Sequence, residues 1–581
     1  MIPLFGQEPL ELFRLQSLSP ERPLPQLTPS GNSLVNRPAS TPTATFPLPS
    51  LEKAPIPLPV KQEELDRVIQ EGEILEAEAH WTEVLSYYET ALRFYRNEHA
   101  LMDRYRVARF HCDIGRRFHD ASYLNLIRSL SVIETLNFYE EVMTQIQQNY
   151  AEIPRWELCF QHGIQNFCIA MTDKNFRSQA NVNIPDEQVN TYLSSVQATV
   201  NGWKIRDRED MKNGLLHIAE GAQKQLGLNP VFVMMEFTCG VVNSLDPHTA
   251  YLTPNQLNDQ LAATSGNLVG LGVDLRSDRD SLLIFRVLPG SPAEESGLKE
   301  RDRILAVDGI STRGRDLDNA ADLLQGNEGS SVLLSILSEG LGQLPRDMRI
   351  TRRQIDVPSV EDVRMITDTL GYVKLTSFHA KTRWELTKAL THLDTMGMKC
   401  LILDMRQNPG GLFQVGIEVA SMFIEQGAIV RTQGRDRELD APYMAQGDTW
   451  QVPLIVLIDG ESASSAEIVA GAIRDHHRGI LIGKQSYGKG TIQQIVPVRS
   501  GTTGSVRSGV KLTVEKFYSP LGWPYSGIGV TPHILVSDGE KQRMTLAKPF
   551  EGRLPSMLAR PATSSLDDPY IQKAVEVSKT L

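Results

Sequence analysis

Residues 459–493 read DGESASSAEIVAGAIRDHHRGILIGKQSYGKGTIQ. A serine-rich turn opens a short helix, a glycine-bounded apolar run follows, and a lysine then sits between two glycines. Residues 466–474 are good helix formers, with Ile468, Val469, Ala472 and Ile473 forming a helical stripe. Ser462, Ser464 and Ser465 lie just ahead of it, where serine caps free backbone amides. The run Gly479-Ile480-Leu481-Ile482-Gly483 has the signature of a buried strand. It leads into Ser486-Tyr487-Gly488-Lys489-Gly490, a turn whose glycines allow close approach to the serine.

The spacing carries chemistry. Ser464 and Lys489 are 25 positions apart, enough for a helix and a strand to fold back on each other. This suits a serine nucleophile deprotonated by a lysine amine. A helix start offers amide donors and positive dipole character to a developing oxyanion, and the amide after the serine belongs to Ser465. Lysine works as a base only if its pKa falls from about 10.4 to about 7, a bias of about 4 kcal/mol. Burial supplies such a bias, whereas a carboxylate at the amine opposes it. Asp475 is expected in a supporting, orienting role, because eleven residues of helix put it about 16 Å from Ser464. Gln493, four residues after Lys489, is the better-suited partner, since it can hydrogen-bond the lysine without adding charge. His476 and His477 lie about 18 Å past Ser464 on the same helix and read as solvated helix-end residues. A serine cluster ahead of a helix is ordinarily only a cap, and a lone GKG is commonly a surface turn. The combination is what points to catalysis.

Further upstream, Cys400-Leu401-Ile402-Leu403-Asp404-Met405-Arg406 predicts a buried strand ending in a polar pair, followed by Gln407-Asn408-Pro409-Gly410-Gly411. Glycines just past a strand let backbone amides face a ligand. Together these segments resemble the active-site region of the C-terminal processing (tail-specific) serine peptidases with an internal PDZ domain. In that family the nucleophile stands three residues before a glutamate, and the base stands 25 residues later in a YGKG turn. Those places fall here on Ser464, before Glu467, and on Lys489. The family's acidic and glutamine positions fall on Asp475 and Gln493. Its DLR-x-N-x-GG element implies an oxyanion donor at Gly410, with Gly411 as the neighbouring alternative. The usual Ser-Ala-Ser-Glu is replaced here by Ser464-Ser465-Ala466-Glu467.

Residues 268–353 read as a strand-rich module, with alternation around residues 282–287 and a turn at Asp308-Gly309. The string SPAEESGLKERDRILAVDG makes the module resemble a PDZ domain. Its carboxylate-binding loop would be Gly270, Leu271, Gly272 and Val273, whose amides can capture a peptide terminus while the peptide adds a strand. Arg301 stands where the family has glycine, which bears on the local turn. Ser244-Leu245-Asp246-Pro247-His248-Thr249-Ala250-Tyr251 resembles the family's lead-in to that domain, with His248 read as structural.

The resemblance implies a multidomain α/β (α+β) chain: a helical N-terminal region, then a PDZ-like β module, then a crotonase/ClpP-like α/β serine protease core. The expected divisions are a Pro-rich disordered segment at 1–60, a helical and possibly tetratricopeptide-like region at 61–225, and a lead-in at 226–267. The PDZ-like module at 268–353, the catalytic core at 354–540 and a polar, loose tail at 541–581 follow. Residues 341–357 and 365–375 are expected as strands rejoining the catalytic core. The first 60 residues hold 13 of the 33 prolines, a composition of extended tethers. Residues 81–92 resemble half of a tetratricopeptide helix pair, but no 34-residue period is evident. A bundle packed on the protease and a partner-binding surface both remain open for the helical region.

Composition narrows the partners. A formal net charge of −11 argues against nucleic acid and anionic membrane surfaces. No apolar run reaches the ~18 residues that a membrane helix needs, and the richest, 231–242, contains Glu236. The five cysteines, Cys112, Cys159, Cys168, Cys239 and Cys400, lack metal-binding spacing and read as buried thiols. Neither metal nor cofactor is called for. No secretory signal is read at the start, although the family usually works outside the cytoplasm, in bacteria in the periplasm. Two function classes follow: a serine endopeptidase acting on polypeptides with accessible C-terminal tails, and a PDZ and helical scaffold without proteolysis.

Overall fold

The computed structural model describes residues 62–536 and 568–581, apart from 96–97, 279–280, 314–322, 325, 327, 339–343, 436–441, 448 and 500–505. The Pro-rich segment expected at 1–60 lies outside the described residues.

Short runs rich in Ile, Val and Leu build the sheet that positions the catalytic segment. Its strand order is Val360–Met365, Leu370–Leu375, Cys400–Asp404, Leu454–Ile458, Ile480–Gly483 and Ile534–Leu535. Only the first pair is antiparallel; the other four pairings are parallel. Parallel strands need crossover helices, so both faces are covered and the strands carry continuous apolar sequence. Successive residues alternate between the two faces. Val373, Leu401, Leu403, Val456 and Leu481 pack on one side with the helices Thr382–Thr395, Phe413–Ser421 and Ser465–Asp475. Tyr372, Ile402, Ile455, Leu457 and Ile482 face the other side, against Tyr570, Ile571, Ala574 and Val577 of helix Pro569–Ser578.

That last helix corrects the expectation of a loose tail at 541–581. Its apolar stripe is buried, Asp568 caps it by accepting from the Tyr570 amide, and Asp568 pairs with Arg406 at 2.8 Å. The polar composition of the surrounding segment conceals a stripe of four apolar residues at helical spacing.

A second, antiparallel sheet joins the long strand Val506–Tyr518 to Thr491–Arg499, Ala250–Leu252 and Ala428–Gln433. The PDZ-like module is a sheet in the order Val273–Asp278, Ser281–Val287, Arg303–Val307, Ser331–Leu337 and Arg346–Thr351. Its core is Leu275, Leu282, Ile284, Ile304, Val332, Leu334 and Ile336. A two-stranded neck, Asn267–Gly270 against Arg353–Asp356, connects it to the rest. Strand Arg346–Thr351 therefore belongs to the module and does not rejoin the catalytic sheet as expected. At Arg301, where the sequence reading noted a departure from the family's glycine, the backbone adopts the left-handed conformation, φ 71, at a cost of order 1 kcal/mol.

Ten helices among the described residues fill 62–244. The expected boundary at 225 falls short, because helix Pro230–Ser244 is buried along almost its whole length by helical neighbours. Glu236 in that helix is fully buried and meets Arg117, Tyr123 and Asn166. The helical core also takes in Tyr251, Val498, Val510 and Leu512 from the antiparallel sheet. A bundle fused to the protease by one shared core is therefore the observed arrangement. Among the described residues no helix is long and apolar enough to cross a membrane. All five cysteines are free thiols. Burial pushes those of Cys159, Cys168 and Cys239 up to about 12.

Candidate active site

Strand Leu454–Ile458 ends in a turn that delivers Ser464 to the head of helix Ser465–Asp475. The serine backbone is held at φ 57, ψ −117, a region that non-glycine residues rarely enter. Surrounding bonds enforce it: Ser462 Oγ donates to the Met405 carbonyl at 2.8 Å, and the Ala463 amide donates to the Asn408 carbonyl at 2.9 Å. Such strain at a strand-to-helix turn pushes the side chain into the site. Ser464 remains only 9% exposed.

The sequence reading used Glu467 only as a spacing marker; the structure gives it the central place. Its fully buried carboxylate accepts from the Ser464 amide at 2.8 Å and the Lys489 amide at 2.9 Å through one oxygen. The other oxygen accepts from the Gly488 amide at 2.7 Å and Ser486 Oγ at 2.5 Å. Four donors on two oxygens fit the ionised form. Burial raises its pKa, and these four bonds oppose the rise. The signal was a glutamate three residues into a helix behind a serine, the spacing of a capping box.

Burial pushes the Lys489 amine down to about 8; the Lys511 ammonium adds to the fall, and Glu467 and Asp246 oppose it. His248 is driven to about 4, chiefly by burial and then by Lys489, so it is uncharged at neutral pH. Gly488 and Gly490 let the turn pass close to the loop 526–529. A Cβ on Gly490 would lie 2.3 Å from the Ser526 nitrogen.

The strand Cys400–Asp404 brings Gly410 against the serine. A Cβ on Gly410 would fall 2.7 Å from the Ser464 Cβ and 2.9 Å from the Ser465 nitrogen. The Gly410 amide donates to Asn408 Oδ1 at 2.8 Å, and Asn408 Nδ2 donates to the Leu375 carbonyl. Gly410 is thus beside Ser464, but its N–H is engaged. Ser465 sits in the first helical turn, where amides lack intrahelical acceptors.

Gln493, the expected partner of Lys489, lies elsewhere, and Asp475 stays clear of the serine as its spacing implies. Gln493 does not bond Lys489: its Nε2 donates to Thr491 Oγ1 at 2.8 Å and to Thr513 Oγ1 at 3.3 Å. Gln493 pairs across the sheet with Thr513, whose hydroxyl captures the amide. Asp475 is at the far end of the helix, where it accepts from Ser519 Oγ at 2.5 Å and the Leu521 amide at 3.2 Å and pairs with Arg474. It touches neither Ser464 nor Lys489, but it holds the start of the loop that packs on the lysine turn. His476 bonds the Ala428 carbonyl and His477 is exposed, both away from the serine.

In the PDZ-like module, Gly270 ends the neck strand, Leu271 and Gly272 form the turn, and Val273 opens the edge strand. Gly272 has φ +83, and a Cβ there would lie 2.2 Å from the Ser291 Cβ.

The family model described as peptidase family S41 matches residues 369–536, and a PDZ domain model matches residues 284–337. The chain is 36% identical over 296 residues to a carboxyl-terminal-processing protease of Picosynechococcus sp., covering 50% of this chain and 70% of that protein. It is 36% identical over 303 residues to a carboxy-terminal-processing protease of Bartonella bacilliformis, covering 51% and 68%. Among solved structures, a photosystem II D1 C-terminal processing protease aligns at 24% identity and a TM-score of 0.38, covering 70% of this chain and 94% of that chain. These matches do not favour a non-proteolytic scaffold. With a strained serine at a helix head, a glycine element against it and a PDZ sheet on a neck, the chain belongs to the carboxyl-terminal-processing serine proteases of peptidase family S41.

Proposed function

We propose that Ser464 is the nucleophile and Lys489 the general base of this protease. The observation that carries the reading is the Glu467 carboxylate, which binds the backbone amides of both residues and so fixes one against the other. The lowered Lys489 pKa supports it, because a general base must be uncharged near the working pH. Ser464 Oγ attacks the scissile carbonyl carbon as its proton passes to Lys489 Nζ. The carbonyl oxygen becomes an oxyanion facing the Ser465 amide, with the Gly410 amide shared between that oxygen and Asn408. The C–N bond then breaks, and the Lys489 ammonium returns its proton to the leaving amine. Water, deprotonated by Lys489, attacks the acyl ester and frees Ser464. Asp475 and Gln493 act by holding the surrounding turn and strand.

The PDZ-like module presents C-terminal segments of polypeptide substrates to this pair. Its strand Val273–Asp278 is at the edge of the sheet among the described strands, where an incoming peptide can add alongside. Gly270, Leu271, Gly272 and Val273 supply the turn for the terminal carboxylate.

Cleavage of an unstructured polypeptide by wild type, Ser464→Ala and Lys489→Ala tests the pair. Each variant is expected to lose at least about 10³-fold in kcat/KM. Equal cleavage by all three would remove both residues from the chemistry.

A further inference from the structure

Strand Cys400–Asp404 lies between strands Leu370–Leu375 and Leu454–Ile458, and the chain leaving its end carries Gly410 to the serine. Side chains from the two neighbouring strands hold the peptide unit between Arg406 and Gln407 at both ends. Its carbonyl, that of Arg406, accepts from Lys374 Nζ at 2.8 Å. Its N–H, that of Gln407, donates at 2.8 Å to Oδ1 of Asp459, the first residue past Ile458. Gln407 has φ 59, a left-handed conformation that a non-glycine residue keeps only where its surroundings impose it.

The same Asp459 oxygen also accepts from the Glu461 amide at 3.0 Å and the Ser462 amide at 3.1 Å. Those two bonds make an Asx turn, the ordinary use of an aspartate after a strand. Such a turn is complete within itself. The Gln407 amide is different, since it comes from 52 positions away in the sequence. Ser462 Oγ reinforces the junction by accepting from the Asp459 amide at 2.9 Å and donating to the Met405 carbonyl at 2.8 Å. The Ala463 amide adds a bond to the Asn408 carbonyl at 2.9 Å. Residues 459–463 are thereby stitched to residues 405–408. Glu467 binds the serine and lysine turns; the glycine element has this clamp of its own.

The clamp matters because the two oxyanion donors come from separate segments. The Ser465 amide belongs to the helix head and the Gly410 amide to the glycine element. A donor stabilises an oxyanion only when it stands within about 3 Å of the place where the charge forms. Neither segment can set the spacing of the two donors alone.

We propose that Asp459 is a positioning residue for the oxyanion: by accepting the Gln407 and Ser462 amides together, its carboxylate sets the Gly410 amide against the Ser465 amide. The inference rests on reading Ser464 as the nucleophile and those two amides as the oxyanion donors. Its effect is realised when the scissile carbonyl oxygen gains charge, so it falls on the transition state and not on substrate binding.

The test is steady-state cleavage of an unstructured polypeptide by the full chain, with kcat and KM separated. Asp459→Ala is expected to lower kcat at least about tenfold while KM stays within about threefold of wild type. Asp459→Asn keeps an acceptor oxygen without the charge and is expected to restore kcat to within about threefold of wild type. A wild-type kcat in Asp459→Ala overturns the proposal, and so does a loss carried by KM. Asp459→Asn as slow as Asp459→Ala overturns it too, since charge and not the shared acceptor would then be responsible. Should Asp459→Ala fail to melt cooperatively, Ser462→Ala removes only the hydroxyl of the same clamp. It is expected to lower kcat at least about threefold at unchanged KM, and a wild-type kcat there overturns the proposal. Ser464→Ala keeps the two readings apart. Full cleavage by that variant ends the nucleophile assignment itself, whereas an inactive Ser464→Ala beside a wild-type Asp459→Ala ends only the role of Asp459.

Discussion

Replacing Glu467 by glutamine turns one acceptor oxygen into a donor, yet all four of its partners are donors. At least one buried N–H or O–H then faces another N–H, at a cost of about 1–3 kcal/mol. Glu467→Gln is expected to lower stability by that amount in denaturant unfolding. It is also expected to reduce kcat/KM at least about tenfold, because the serine and lysine backbones lose their common anchor. Wild-type values in both measurements would remove Glu467 from the positioning of the pair. Single residues also show where reading ahead stops. The nearness of Ser464 to Gly410 and to the lysine turn follows from residue type and spacing, so it was legible. Gln493 was not, since its amide is claimed by Thr513, a residue 20 positions away whose nearness depends on strand register.

At the scale of elements, the turn Leu271-Gly272 and the edge strand Val273–Asp278 work as one unit. A side chain on Gly272 meets Ser291, and its φ of +83 strains any other residue. Gly272→Val is therefore expected to weaken binding of a labelled C-terminal tail peptide by at least about tenfold while the protease core still melts as in wild type. Equal binding would place peptide recognition elsewhere. Strands and helices of the catalytic core were readable because a buried parallel sheet demands continuous apolar runs bounded by glycine. The assignment of strand Arg346–Thr351 was not, because neighbouring strands of similar composition can join either sheet, and pairing with Ser331–Leu337 decides.

Across the whole molecule, stability is shared between parts that the sequence presents as separate. Helix Pro569–Ser578 closes one face of the catalytic sheet, and Asp568 joins its cap to Arg406, four residues before Gly410. Asp568→Ala removes a cap and leaves the mostly buried Arg406 with one carboxylate fewer. The expected loss is about 2–4 kcal/mol, read as a lowered denaturant midpoint; an unchanged midpoint would make the helix an ornament of the fold. The sequence by itself determined the family, the serine turn, the lysine turn and the PDZ-like module, since each is local: a few residues in fixed order set the backbone. Only the tertiary structure decided that Glu467 ties serine to lysine, that the helices share a core with the protease, and that the C-terminal helix docks. Those outcomes depend on which distant segments are neighbours, and that is settled by burying all the apolar faces at once.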